Sequence, residues 1–271
     1  MGDSSAINIL VFHYKNGTPF PELPAYQHIW AGKNGHSAVT ELTGDDTGNN
    51  ISSKNNFYSE LTGIYWFWKN QQSPIIGTSH YRRFFTAQSI PFWYRLKTGL
   101  FYPLGLKQKR AGLIYCSNAN YWKKRILNQE EIGTLLSHYD AILPQARKLK
   151  YTVEEHFKRY HHAEDLILLE KIIAQQSPEL SASFLTMLQQ KKLYANNMFV
   201  LRKAHFDELA TWLFSILFEF EKQVDLNQYT GYQKRLFGFL SERLITTWFQ
   251  HHSELKIKEL PLIYLKHFKR I

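Results

Sequence analysis

In residues 73–85, SPIIGTSHYRRFF, an apolar run ends in small residues and then delivers His80, Tyr81, Arg82 and Arg83 together, ahead of two phenylalanines. A buried strand that ends in cations is costly unless an anionic group meets it. Arginine forks match phosphate oxygens two at a time, so a diphosphate is the natural counter-charge. The plain alternative is a surface salt-bridge cluster. It fits poorly beside Tyr81, Phe84 and Phe85, which point to a partly dry site. Two further strand ends carry polar groups: His13 near the close of AINILVFHY, and Asn196 with Asn197 inside YANNMF. In open α/β sheets ligands lie beyond the carboxyl ends of the strands. Any one of these clusters alone reads as a solvated loop. Three of them at the ends of one sheet read as a pocket.

Two carboxylates have the chemistry of a general base. Asp165 stands in HHAEDL and Glu242 in GFLSERL, next to Arg243. Each has a structural reading as well, the first as an acid in the first turn of a helix, the second as one half of a helix-surface pair. A metal centre is not expected. Asp45 and Asp46 are adjacent, no Asp-x-Asp occurs, and the pairs His161-His162 and His251-His252 lack the i, i+4 spacing that brings two imidazoles to one ion. The single cysteine, Cys116, rules out an internal disulfide and a cysteine-based zinc site. The dinucleotide, P-loop and nucleophile-elbow glycine patterns are absent, which argues against dehydrogenase, NTPase and α/β-hydrolase chemistry.

These groups must be held by a sizeable core, and the 271 residues are 44% hydrophobic. Residues 6–14 read as a first buried strand and 75–77 as the start of another. Residues 138–144 and 193–201 add strand character. Phe57, Leu61, Ile64, Tyr65 and Trp68 share one helical face. Leu166, Leu169, Ile172 and Ile173 mark a second helix, residues 206–220 a third, and residues 233–248 a fourth. Strands alternating with helices predict an α/β fold, one domain over residues 1–271, with a mostly parallel central sheet flanked by helices. Residues 87–125 form an insert of mixed aromatic and basic character.

The net charge is +10 and aromatics make up 15% of the chain, which favours anionic partners. No RNA- or DNA-binding signature is recognisable, so nucleic acid is not the expected partner. No stretch approaches the roughly 18 uninterrupted apolar residues of a membrane span. The first residues lack a basic and apolar leader, so a cytoplasmic location is expected.

Taken together, DDTGNNISSKNNFYSELTGIYWFWKN, IIGTSHYRRFF, NNMFVLRKAHFDELATWLFSILFEFE and QKRLFGFLSERL resemble a bacterial family of capsule and exopolysaccharide glycosyltransferases, the DUF4422 family. The resemblance runs from about residue 7 to residue 248 and leaves the insert uncovered. It implies a GT-A-like fold and transfer of a sugar from a nucleotide-sugar to a growing surface glycan. The order of segments is also similar to that of glycogenin-like galactosyltransferases. There, a strand ending in Asp-x-Asp holds a divalent metal on the donor diphosphate, and a later FNAG-like strand lines the sugar site. Here SHYRRF stands in the first slot and YANNMF in the second, so no metal ligand carries over.

The reading that follows places His13, Asn50, Ser52 and Asn55 around the nucleotide, and His80, Tyr81, Arg82 and Arg83 at the diphosphate. Asn196, Asn197 and Asp165 contact the sugar or acceptor, with Asp165 preferred to Glu242 as base. Two arginines and a histidine would supply the charge that Mg²⁺ or Mn²⁺ supplies elsewhere. No cofactor is required on this reading. The expected donor is a UDP-hexose, galactose in pyranose or furanose form included. The expected acceptor is a lipid-linked polysaccharide. Phe92, Trp93, Tyr94, Leu96 and Phe101, beside Arg95, Lys97, Lys107 and Lys109, suggest docking on an anionic membrane surface at the inner face of the cytoplasmic membrane. Folding of that segment back onto the core is the alternative. The rival reading of the whole chain is a non-enzymatic module that binds nucleic acid or anionic glycan.

Overall fold

The computed structural model describes residues 7–14, 23–34, 42–101, 112–116 and 118–265. The first six residues, and Lys107 and Lys109 of the aromatic and basic insert, lie outside the described residues.

Ile9, Leu10, Val11 and Phe12 are buried on both faces of the sheet. That is the pattern of a central parallel strand covered on two sides. This strand is β1 (Ile7–His13), and β2 (Tyr26–Trp30) and β3 (Ile75–His80) pair parallel to it on opposite edges. The chain therefore leaves β1 on one side and returns on the other, which opens a crevice at the carboxyl end of β1. Past β1 the sheet forks along β3. Residues 75–77 pair with β9 (Val200–Arg202), while His80 pairs with Arg83 of β4 (Arg83–Phe85) across a tight hairpin. One branch continues from β9 to β6 (Ala141–Pro144) and β10 (Ile257–Leu260); the other runs from β4 to β11 (Leu262–Leu265) and β5 (Leu113–Cys116). A separate short ladder joins β7 (Arg147–Lys148) to β8 (Lys192–Leu193). The parallel ladders hold four to six paired residues each and the antiparallel ladders of the main sheet three or fewer, so the sheet is mostly parallel by paired length.

The helices are α1 (Asn55–Tyr58), α2 (Leu61–Asn70), α3 (Phe92–Phe101), α4 (Ala119–Lys123), α5 (Gln129–Leu136), α6 (Val153–Tyr160), α7 (Ala163–Gln176), α8 (Pro178–Gln189), α9 (Lys203–Gln223) and α10 (Leu236–His251). They bury the periodic positions read from the sequence, including Leu166, Leu169, Ile172 and Ile173 of α7 and Phe206 through Phe220 of α9. Two apolar clusters form the core. One is dominated by α2 and α6–α10, the other by α5, β4, β5 and β11. Helix α2 comes very close to β1 at Gly63, where a Cβ would stand 2.5 Å from Cε1 of Phe12.

Two sequence expectations are corrected. The single helical face through residues 57–68 is broken between α1 and α2, where Ser59 takes φ 52°. The strand expected over residues 193–201 is interrupted between β8 and β9 by Asn196 (φ 79°) and Asn197 (φ 50°). Asparagine tolerates the left-handed region better than most residues, because its short polar side chain can bond locally. Both breaks turn polar groups toward the same crevice.

Candidate active site

A cleft of about 380 Å³ opens beyond the carboxyl ends of β1 and β3. That volume is within the range of small-ligand sites. Its walls include Tyr14 after β1, His80 and Arg83 at the hairpin, Glu60 at the α1–α2 break, Asn196, and Glu242 with Arg243 of α10. Arg147, His156, His161 and Arg235 complete the charged lining.

The left-handed Asn196-Asn197 turn is held from several directions. The Asn196 N–H donates to Oε1 of Glu242 at 2.7 Å, and its carbonyl meets Nε2 of His80 at 2.7 Å. Nδ2 of Asn197 donates to Oε1 of Glu60 at 2.9 Å, and the hydroxyls of Ser241 and Thr78 donate to the Asn197 side chain and carbonyl, each at 2.9 Å. Two residues in a sparsely populated backbone region persist when their surroundings over-determine them, as these do. The turn presents its backbone to the cleft between the two carboxylates.

Burial brings His80 down to about 4, assisted by the nearby Arg83 and opposed by Glu60. The imidazole is therefore neutral near pH 7, and its bond to the Asn196 carbonyl places the proton on Nε2. The expectation that His80 contributes positive charge is corrected: burial removes that charge, and the cations of the cleft are arginines. Burial works against ionising Glu60, yet His80, where it takes up its proton in the acid range, together with Arg235 and the hydrogen bond from Asn197, outweighs burial and holds this carboxyl below the usual range. Glu242 moves the other way. Burial pushes its carboxyl up, against the attraction of Arg243.

Nη1 of Arg243, on a side chain with almost no exposure, donates to the Phe239 carbonyl at 2.8 Å and approaches Glu242 at 3.2 Å. Arg235 meets Glu60 at 3.3 Å. Arg83 lies 5.4 Å over the Tyr264 ring. The buried Nε atoms of Arg83 and Arg243, and Nδ1 of His156, have no acceptor or donor partner among the described residues. A capping box between Thr152 and Glu155 fixes the first turn of α6 and with it His156. Burial lowers His156 and His161 to about 4, with Arg243 adding to the effect.

Of the residues expected in the site, His80, Arg83, Asn196 and Glu242 line the cleft, and Asn197 stands behind it. The others do not line it. Arg82, at the hairpin turn, lies 4.9 Å over the Tyr81 ring. Tyr81 is buried against Tyr14 and His13. His13 is buried with Nε2 against Nδ1 of His28 at 2.8 Å, and burial brings it down to about 3. Asn50 makes a local turn with Gly48 and Ser52. Ser52 bonds to the buried Asp45, which also accepts from the backbone of Gly32 and Lys33. Asn55 ties Ser59 to Thr62. These groups brace the loops that edge the crevice. Asp165 is the larger correction: it is buried away from the cleft and accepts from the Tyr229 hydroxyl, and burial pushes its carboxyl up. Glu60, Arg147, His156 and Arg235 went unread because they arrive from three separated stretches of the chain, around residues 60, 147–156 and 235, with no local pattern. The Thr-x-x-Glu capping signature ahead of His156 was the one available signal.

Among the described residues no group of three or more histidines, cysteines or carboxylates stands together in a metal-binding arrangement. No helix among them is long and apolar enough to cross a membrane.

Residues 8–253 match the model of a family described as a domain of unknown function, DUF4422. No curated protein matches. Among solved structures, the apo form of the bifunctional glycosyltransferase WbbM is similar, with a TM-score of 0.82 at 29% identity over 97% of this chain and 46% of that one. This chain thus spans less than half the length of WbbM. The α/β, GT-A-like arrangement expected from the resemblance is the one seen. With the family match running through both strands of the crevice and every carboxylate and arginine of its lining, the protein belongs to the DUF4422 family.

Proposed function

We propose that this protein is a glycosyltransferase that moves a sugar from a nucleotide-sugar donor to a glycan acceptor. The observation that carries the reading is a switch-point cleft lined by Arg83, whose buried Nε meets no acceptor among the described residues. The likeness to WbbM at 29% identity supports it. The nucleotide enters the crevice beyond β1 and β3, and its diphosphate meets Arg83. As the bond from the anomeric carbon to the diphosphate oxygen breaks, its electron pair leaves with that oxygen, and the fixed guanidinium stabilises the growing charge. An acceptor hydroxyl forms the new bond to the anomeric carbon. Glu242 takes its proton, because burial has raised this carboxyl toward the range useful to a base. Asp165, bonded to Tyr229 and outside the cleft lining, is not given that role. On this reading the charge on the departing diphosphate is met by Arg83 rather than by a metal.

The acceptor class we propose is a lipid-linked surface polysaccharide, reached from the inner face of the cytoplasmic membrane. Helix α3 supports this. Phe92, Leu96 and Leu100, at i, i+4 and i+8, are 79%, 55% and 60% exposed, so they do not complete the core. Tyr94 anchors the helix by accepting from the Tyr115 N–H at 2.8 Å. An exposed apolar helical face beside basic residues suits the head-group zone of an anionic leaflet.

Thermal stabilisation tests the reading against a nucleic-acid-binding module. UDP or GDP at 100 times its dissociation constant should stabilise the fold by about 2.7 kcal/mol. A response to a single-stranded oligonucleotide with none to either nucleotide would favour the rival.

A further inference from the structure

The charged lining of the cleft divides into two groups. Glu60, His80, Arg83 and Arg235 interact around the β3–β4 hairpin and the α1–α2 break. Glu242, Arg243, Arg147, His156 and His161 interact at the other end, where α6, β7 and α10 meet. Between them stands the Asn196 backbone, bonded to His80 on one side and Glu242 on the other.

The second corner has cations and donors left over. Arg243 is 1% exposed and packs 5.1 Å over the Phe157 ring, yet its Nε meets no acceptor among the described residues. A buried guanidinium N–H left unpaired is costly, so its place on a cleft wall calls for a ligand acceptor. Nδ1 of His156, on the facing helix, is likewise buried and without a partner. Arg147 brings a second guanidinium, and the corner has one carboxylate, Glu242, to balance two arginines. Glu60 is taken by Arg235 in the other group.

Building on the glycosyltransferase reading, we infer that Arg147, His156 and Arg243 form a second oxyanion subsite, separate from the diphosphate subsite at Arg83, which holds a phosphate or carboxylate carried by the acceptor. Arg147 and Arg243 provide the charge, and His156 in its Nδ1–H tautomer provides a neutral donor. Glu242 lies directly beside this corner, so an acceptor gripped there by its anion brings a neighbouring hydroxyl to the base. The two sources of such an anion are a phosphate in the acceptor's lipid linkage and an acidic sugar within the glycan.

Calorimetric titration of the purified chain with inorganic phosphate, in the presence of saturating UDP or GDP, tests this. Phosphate is expected to bind while the nucleotide stays bound. Arg147→Ala and His156→Ala should each weaken phosphate about tenfold or more, with Arg147→Lys intermediate and nucleotide affinity retained. Arg147 and His156 are half-buried, so these variants avoid the folding risk of truncating Arg243. Glucuronate in a parallel titration separates the sources: tighter binding than phosphate indicates an acidic sugar, weaker binding a phosphate. Competition between phosphate and the nucleotide, or unchanged phosphate affinity in both alanine variants, would overturn the inference and leave the donor reading standing. Phosphate binding that depends on Arg147 in a protein that binds no nucleotide would do the reverse.

Discussion

Replacing Arg83 by alanine should separate catalysis from folding. Among the described residues no carboxylate pairs with its guanidinium, its Nε has no acceptor, and its evident contact is the Tyr264 ring at 5.4 Å. Truncation therefore orphans no partner and removes one cation–π contact, about 0.5–1 kcal/mol. For a domain of this size that is a shift in Tm of about 2–4 °C or less. On the chemical side the loss is larger. A preorganised donor aimed at developing charge is worth about 10²–10³ in kcat. Lysine should restore part of this, since it brings the charge but not the fork. Arg82→Ala is the internal control, because that side chain lies over Tyr81 and off the cleft wall; it should keep near wild-type turnover. The assay is release of nucleoside diphosphate from the donor, with a thermal melt of each variant alongside. Wild-type turnover in Arg83→Ala, or a collapse of its Tm, would refute the argument.

Asn197→Ala strips partners from Glu60 and Ser241 and leaves alanine at φ 50°; chemical denaturation should show a loss of about 2–4 kcal/mol, and a loss under about 0.5 kcal/mol would mean the turn is not over-determined. His13 and His80, held at about 3 and about 4 against an ordinary 6.5, stay neutral in the fold while the unfolded chain takes up protons first. Their stabilising effect is full above pH 6.5 and fades as pH falls toward 4, so urea titrations should find each costing about 2 kcal/mol at pH 5. A flat stability between pH 7 and pH 5 would contradict this burial. Sedimentation should find the wild type on anionic liposomes at low salt, and the Phe92→Ser, Leu96→Ser, Leu100→Ser triple variant in the supernatant; equal binding by both would remove α3 as the docking face.

The elements that hold the site were legible wherever apolar spacing was long and regular. β1, α7, α9 and α10 were read because their periodic positions face the core. The site was legible only at its hairpin, and there in part. Arg82 and Arg83 look alike as neighbours, but the hairpin turn sends one over Tyr81 and the other to the cleft. His80 looked cationic because protonation depends on burial, which is set by β1, β9 and the Asn196 carbonyl rather than by its neighbours in sequence. Asp165 looked like an acid in a first helical turn and is one, but Tyr229, 64 residues later, covers it. Glu60 came into view only through the break at Ser59. The asparagine pair in YANNMF was the cue for a left-handed turn, and the apolar residues around it masked that cue.

Glycosyl transfer with arginine, rather than a metal, at the diphosphate is the activity proposed for the cleft. The direct measurement is incubation of the purified chain with a panel of nucleotide-sugars, UDP-hexoses first, with and without EDTA, and quantification of the nucleoside diphosphate released. Release from one donor above the enzyme-free rate, and the same release in EDTA, is the expected result. No release from any donor, or a complete loss in EDTA that Mn²⁺ restores, would contradict it.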